Sequence, residues 1–373
     1  MNNNVNTKQH SKNVLFILSF PPPHHGANED NLILVENWNS NKNNPLILDI
    51  SNHNKKYSDI GKFRISNLFT IMKGLKKQIS ILKKCDIDIV FSLIVPDRWG
   101  FIRDSVLILT TKIFSKAKVV TRFPAGSFYS FYRNSFFLKP LIKTVINLID
   151  LVITEGDCIN WQFKKIRENI QISSAYPGIP DRGNKVNKLH EQFNVLYICY
   201  HRKAKGFYDV LYSIPDIVQK NPKIKFNFVG KLLLNEKEQK RITKFVEQNT
   251  LTNNIIFHGE QIGEEKWEFY RDASVQILPS YSEGLPTSII EGLSFGLPII
   301  ATRVGVIPEI IKEGINGFLL EPGDTKKLTE LIIYLSQNPA IVEKIGFNNR
   351  KYYLENFIAD SFCKRIEACL DLV

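Results

Sequence analysis

Short apolar runs recur along the first half of this chain, each suited to one strand buried on both faces. They are Val14–Phe20 (VLFILSF), Leu46–Ile50, Ile87–Ile94, Val119–Phe123 and Leu151–Thr154. Between them lie stretches with helical apolar spacing: Phe63–Lys84, Ile102–Phe114 and Leu138–Leu148. In the first of these, Leu68, Met72, Leu75, Ile79 and Leu82 share one face, and Lys73, Lys76, Lys77, Lys83 and Lys84 lie largely off it. Strands alternating with helices predict a doubly wound α/β domain with a parallel sheet. The pattern breaks at Ala175–Asn187 (AYPGIPDRGNKVN), where Pro, Gly and Asn suit a linker. A second series follows, with strands expected at Asn194–Tyr200, Phe226–Val229, Ile255–His258, Val275–Leu278, Ile299–Ala301 and Phe318–Leu320. The segment Phe357–Val373 reads as an amphipathic helix. The expected organisation is a disordered tail over 1–12, a Rossmann-like domain over 13–183 joined by the helix 357–373, and a second such domain over 184–356.

The length of 373 residues agrees with two domains rather than one core. No run of apolar residues is long enough to span a bilayer, and MNNNVNTKQHSKN lacks the apolar segment of a secretory signal. The five cysteines, Cys85, Cys158, Cys199, Cys363 and Cys369, are odd in number and widely spaced. They suit reduced thiols of a cytoplasmic protein, not a disulfide framework or a metal site. Asp86 and Asp88 form D-I-D, but they precede a strand and read as its start, so no metal site is expected.

Charge changes the picture of the first half. Residues 1–183 hold 25 Lys+Arg against 14 Asp+Glu, a net +11 of the chain's +12. No acid lies between Asp104 and Asp150, where Lys112, Lys116, Lys118, Arg122, Arg133, Lys139 and Lys143 interleave with Phe114, Phe123, Phe128, Tyr129, Phe131, Tyr132, Phe136 and Phe137. Such a mixture suits an ordinary solvated surface or, in the preferred reading, an anionic membrane surface, with Lys112, Lys116, Lys139 and Lys143 facing it. No nucleic-acid-binding motif accompanies the charge, so nucleic acid is not an expected partner.

Candidate chemistry centres on Ile277–Thr302, ILPSYSEGLPTSIIEGLSFGLPIIAT. A strand end runs into a loop, then a helix from Thr287 to Phe295 opened by Pro286 at its first position, then a second buried strand. A loop and helix N-terminus that aim N–H groups at one point favour an anion. Glu283 and Glu291 lie beside it and can accept hydrogen bonds from sugar hydroxyls. Anion and hydroxyls side by side describe a nucleotide sugar. After Val14–Phe20, the loop PPPHHGANEDN carries Gly26 where open α/β sheets present backbone to ligands. The dinucleotide pattern G-x-G-x-x-G is absent, and His24 and His25 read as polar loop residues.

The stretch resembles the signature of family 4 of the retaining glycosyltransferases (glycosyl transferases group 1), roughly P-S-x-x-E-G-x-P-x-x-x-x-E-(A/G)-x-x-x-G-x-P-(V/I)-(V/I)-A-T. The likeness continues through Gly305, Pro308, Glu309, Gly314, Gly317 and Pro322. It implies the GT-B fold: two Rossmann-like domains facing across a cleft, the terminal helix crossing back to the first. It implies that Arg202 and Lys205, in HRKAKG after strand Asn194–Tyr200, meet the donor diphosphate. Glu291 would hold ribose hydroxyls. Glu283 would sit by the donor sugar, with the N–H groups of Gly284 and Leu285 beside it. Thr287, Ser288 and Ile289 would offer helix amides to the diphosphate. Gly26, Gly230 and Gly259 would let ligand lie close to backbone, with the base near Phe257–Ile262. Two positions depart from the family: Ala27 replaces a second glycine, and Pro124 stands where a histidine is usual, leaving Arg122 as a weak substitute.

The expectation is therefore a retaining, metal-independent glycosyltransferase without cofactors. Its donor would be UDP-, GDP- or ADP-linked. Its acceptor would be a saccharide or lipid-linked saccharide in surface-polysaccharide (O-antigen, capsule or exopolysaccharide) biosynthesis, and the enzyme would sit peripherally on the inner face of the cell membrane. A nucleotide-sugar epimerase of the same architecture and a non-catalytic nucleotide- or membrane-binding module are the competing readings.

Overall fold

The computed structural model describes residues 11–22, 26–52, 65–124, 126–183 and 192–373, without the side chains of 65–69. Most of the expected tail, His24 and His25, the start of the helix at Phe63, and the end of the linker lie outside the described residues. The chain divides into two units, Met1–Pro177 with Ala359–Val373, and Gly178–Ile358.

The first unit holds β1 (Lys12–Leu18), β2 (Asn43–Asp49), β3 (Ile89–Leu93), β4 (Lys118–Phe123), β5 (Leu151–Thr154) and β6 (Ile172–Ser174). They form one parallel sheet in the order β2-β1-β3-β4-β5-β6. Its helices are α1 (Gly26–Glu36), α2 (Ile65–Lys84), α3 (Arg98–Phe114), α4 (Phe128–Asn134), α5 (Lys139–Leu148) and α6 (Trp161–Lys164). Asp97 caps α3, accepting from the N–H groups of Trp99 at 3.1 Å and Gly100 at 2.8 Å. Under α5 the rings of Phe123, Phe128 and Phe163 meet with centroids 4.6–4.9 Å apart. They lie in a core shared with Phe101, Val119, Ile142 and Val145.

The second unit holds β7 (Asn194–Ile198), β8 (Lys225–Val229), β9 (Ile255–Gly259), β10 (Val275–Leu278), β11 (Ile299–Thr302) and β12 (Gly317–Leu320). They are parallel in the order β12-β11-β10-β7-β8-β9. Around them lie α7 (Phe207–Lys220), α8 (Glu236–Gln248), α9 (Gly263–Asp272), α10 (Thr287–Ser294), α11 (Ile307–Ile310), α12 (Thr325–Gln337) and α13 (Pro339–Asn356). The core joins Val195 and Tyr197 of β7, Val275 and Ile277 of β10, and Phe207, Ile214 and Ile332 of the covering helices. The strand order reverses between β7 and β10, the place where open α/β sheets form a ligand crevice past the strands' carboxyl ends.

The final helix, α14 (Ala359–Leu370), belongs to the first unit. Lys12 Nζ donates to the carbonyls of Leu370 at 3.1 Å and Val373 at 2.9 Å, and the Cys363 thiol lies against the Leu34 carbonyl of α1. Two parallel six-stranded sheets with helices thus match the expected α/β class. Strand β6 and helices α4, α6, α7, α8, α9, α11, α12 and α13 were not anticipated. Among the described residues no helix is long and apolar enough to cross a membrane.

Arg122 is a correction. It points into the first unit's interior, fully buried, rather than toward a ligand. Its Nη2 donates to Asp30 at 2.8 Å and to Glu155 at 3.2 Å, and its guanidinium lies 5.0 Å from the Phe362 ring of α14. Burial raises the Asp30 carboxyl from its usual range, partly offset by Arg122. This group ties β4, α1 and the end of β5 together beneath α14. Arg122→Ala would take the buried cation from two buried carboxylates and should cost roughly 3–5 kcal/mol in denaturant unfolding. Unfolding midpoints equal to wild type would remove the group from the stability of the unit.

Candidate functional site

Loops at the β7/β10 reversal build the site. After β7 the chain makes a 3-10 turn over Lys203–Lys205 and enters α7 at Gly206. Gly206 has φ +71°, and a Cβ there would stand 2.0 Å from the Pro279 carbonyl oxygen at the end of β10. Only glycine permits that approach. The Tyr281 N–H donates to the Ala204 carbonyl at 2.9 Å, and the buried Tyr197 hydroxyl donates to the Lys205 carbonyl at 2.9 Å. So clamped, Lys205 Nζ donates to both carboxylate oxygens of Glu283, at 2.6 and 2.7 Å. Gly305, at φ +55°, lies so close beneath that a Cβ would meet the Glu283 carbonyl at 2.3 Å and the Gly284 carbonyl at 2.5 Å. The Val306 N–H donates to the Gly284 carbonyl at 3.0 Å. Three loops therefore converge on one short segment, Glu283–Gly284.

Helix α10 begins directly after it. Pro286 is its N-cap, at φ −65° and ψ 122°, instead of its first helical residue. Proline offers no side-chain cap, so the Thr287 and Ser288 amides open the helix uncapped. The Ile289 amide is a correction, because it donates to the Pro286 carbonyl at 3.0 Å and is not offered outward. Leu285 and Ile289 are buried beneath the loop, and the buried Gln276 amide donates to the Ser288 carbonyl at 2.9 Å, fixing the helix start.

One turn on, Glu291 is 6% exposed, and each of its oxygens is engaged. Lys266 Nζ pairs with Oε1, and the Tyr270 hydroxyl donates to Oε2 at 2.5 Å. Lys266 and Tyr270 share one face of α9 by their spacing, and the Lys266 ammonium also lies 4.6 Å from the Trp267 ring centroid. Tyr270 stacks on Phe295 at 5.4 Å, and burial, with Glu291 beside it, holds its phenol well above the usual range. Glu291 is thus a compensated carboxylate rather than a bare one. Neither Lys266 nor Tyr270 was singled out from sequence. Their four-residue spacing on a helix preceding β10 was the available signal.

The other expected residues are distributed around this cluster. Arg202 is exposed at the mouth of the β7–α7 loop. Gly230 follows β8 and Gly259 ends β9, both at carboxyl ends of neighbouring strands. Ile256 and Phe257 of β9 and Ile262 at the start of α9 are exposed apolar residues. Gly26 is exposed and opens α1 after β1, in the first unit. Lys112 departs from its expected place: its ammonium binds Asp150 Oδ2 at 2.7 Å and is half-buried. Lys116 and Lys143 are exposed, and Lys139 is half-buried against Tyr132. Cys85, Cys199, Cys363 and Cys369 are free thiols, and burial pushes Cys199 up to about 12, so it stays protonated near the site. Among the described residues no cluster of His, Cys, Asp and Glu has the makings of a metal site.

His201 also escaped notice. It is 1% exposed, stacked on Phe207 at 5.5 Å and edge-on to Phe228, and neither ring nitrogen makes a well-formed hydrogen bond among the described residues. Burial pushes its imidazole down to about 4, against a weaker opposing pull from the Val229 carbonyl.

Residues 180–352 match the family model described as glycosyl transferases group 1. Over 243 residues the chain is 26% identical to an N-acetyl-alpha-D-glucosaminyl L-malate synthase of Bacillus anthracis, covering 62% of this chain and 61% of that one. Over 180 residues it is 27% identical to the capsular polysaccharide biosynthesis glycosyltransferase CapM of Staphylococcus aureus, covering 48% and 46%. The matched part thus spans between about half and three-fifths of these relatives. The crystal structure of Anabaena HepE in complex with UDP superposes with a TM-score of 0.74 over 97% of this chain and all of that one, at 16% identity, which is a likeness of fold.

The His201 environment sets a pH dependence. Below its unfolded value of 6.5 the unfolded chain takes up a proton that the folded chain refuses until about 4. Stability should therefore fall as pH drops through that window. His201→Leu should lose less stability than wild type between pH 6.5 and 4.5 in urea unfolding, and equal losses would refute the assignment.

Proposed function

We propose that this chain, a member of the group 1 glycosyltransferases through its residues 180–352, moves a sugar from a nucleotide-sugar donor to an acceptor with retention at the anomeric carbon. The observation that carries the reading is the Lys205–Glu283 pair, set at the strand reversal beside the uncapped start of α10. In this reading the donor diphosphate lies against the Thr287 and Ser288 amides, with Lys205 and Arg202 as its counter-cations. Negative charge grows on the diphosphate as the bond to the sugar breaks, and preorganised cations and a helix N-terminus lower that barrier. That charge stabilisation needs no metal.

Glu291 takes the ribose hydroxyls in exchange for Lys266, and the base rests on the apolar surface around Phe257–Ile262. Glu283 accepts hydrogen bonds from the donor sugar and orients it, with Gly284 and Leu285 shaping the wall. It is not assigned as a nucleophile, since a double-displacement route needs a second flanking carboxylate. The acceptor hydroxyl instead attacks from the leaving-group side, its oxygen bonding to the anomeric carbon as the phosphate oxygen departs with the acceptor's proton. The UDP bound by HepE supports a nucleoside-diphosphate donor. CapM's role in capsule synthesis supports a surface-polysaccharide setting, and we assign a lipid-linked saccharide acceptor at the inner membrane face, handled by the first unit.

A thermal-shift panel of UDP, GDP, ADP and their sugars tests the donor. A nucleotide at 100 times its dissociation constant adds about 2.7 kcal/mol of stability, enough to stand out. Glu291→Gln should weaken the responding nucleotide on the order of 10-fold to 100-fold, the scale of one charged hydrogen bond, while Lys205→Ala should lower kcat more than it raises KM. No response to any nucleotide, or interconversion of the donor sugar without acceptor, would overturn the proposal.

A further inference from the structure

The first unit carries a feature that sugar transfer does not use. Between α4 and α5 the chain makes a 3-10 turn, Phe136–Leu138. The Ser135 carbonyl accepts from the Leu138 N–H at 2.9 Å and the Lys139 N–H at 3.0 Å, so the turn is tightly closed. It holds Phe136 and Phe137 outward, 76% and 90% exposed, their rings edge-to-face at 5.5 Å. The apolar face of α5 is already buried through Ile142, Val145 and Ile146, so neither ring serves the core. Single exposed apolar residues are ordinary, but two adjacent phenylalanines fixed outward on a turn mark an interaction surface.

We propose that this turn, with the flanking ends of α4 and α5, docks on an anionic lipid bilayer. Charge selects the occupant. Arg133 and Lys143 are exposed beside the turn, Lys139 lies 5.7 Å from the Tyr132 ring centroid, and no Asp or Glu occurs from Ser105 to Ile149. Phenylalanines that can enter acyl chains, ringed by cations that can meet phosphate, fit a charged membrane surface. Tyr129 and the half-exposed Trp161, 5.5 Å apart, extend the face with side chains suited to the headgroup layer. By topology α4 and the turn follow the carboxyl end of β4 and precede α5, so they share the sheet edge on which Gly26 opens α1. Lys116 instead lies between α3 and the amino end of β4, at the opposite edge, and Lys112 is spent on Asp150. The docking cations are therefore Arg133, Lys139 and Lys143. The inference deepens the proposed function, whose lipid-linked acceptor this edge would receive.

The test is flotation of the full chain with vesicles of phosphatidylcholine, with and without phosphatidylglycerol. Wild type should bind only the phosphatidylglycerol vesicles, and added salt should weaken the binding. Phe136→Ser with Phe137→Ser should lose at least ten-fold in binding while keeping its melting temperature, since neither ring is packed. Lys139→Gln with Lys143→Gln should lower binding and flatten its salt dependence. Wild type without preference for phosphatidylglycerol, or a serine variant that binds as wild type, overturns the proposal. So does light scattering that shows a wild-type dimer which the serine variant turns to monomer, because a second copy then covers the face. Nucleotide thermal shifts on the same samples separate the two readings: vesicle binding without any shift sinks the donor assignment and leaves the docking face standing, and a shift without vesicle binding does the reverse.

Discussion

The second unit depends on one ion pair. Lys205 and Glu283 meet in a bidentate contact between loops that leave β7 and β10, where strand order reverses. Both side chains are largely withdrawn from water, so the pair is stronger than an exposed one and more damaging to break. Backbone packing leaves it little freedom. Gly206 against Pro279 and Gly305 against Glu283 bring three loops closer than any side chain at those positions would allow. The geometry of these loops is set by main-chain contacts, with the charges placed on top.

Both acidic residues of the loop signature are neutralised by a lysine: Glu283 by Lys205, Glu291 by Lys266. Each lysine offsets the charge of a carboxylate that is itself largely withdrawn from water. Tyr270 holds the far oxygen of Glu291 and so fixes the orientation of the carboxylate.

Much of this architecture was legible because parallel strands buried on both faces leave unbroken apolar runs, such as Val14–Leu18 and Val275–Leu278. Strand β6 was not, since Ile172–Ser174 is short, half-buried and largely polar. Helices α8 and α9 were missed because their exposed faces dominate their composition. At the site, Glu283 and Glu291 could be named from the loop and helix pattern around them, and Lys205 from the family resemblance. Their partnerships could not: Lys266 reaches Glu291 across 25 residues, and Lys266 reads locally as one more surface charge. Arg122 misled for the converse reason. Its place beside the position of the family histidine suggested a substitute, but its partners are Asp30 and Glu155, far off in the chain and adjacent only in the fold.

The helix α14 gives the chain an unusual order of completion. The first unit needs residues from both ends of the sequence, with Lys12 bonded to carbonyls of Leu370 and Val373, whereas the second unit is continuous from Gly178 to Ile358. During synthesis on a ribosome the interrupted unit must wait, its buried Arg122 group still uncovered by Phe362, while the unit made later can finish folding first. The half that is begun first is therefore the last to be sealed, and a nascent chain stalled before Ala359 would carry a finished second unit tethered to an open, aggregation-prone first one.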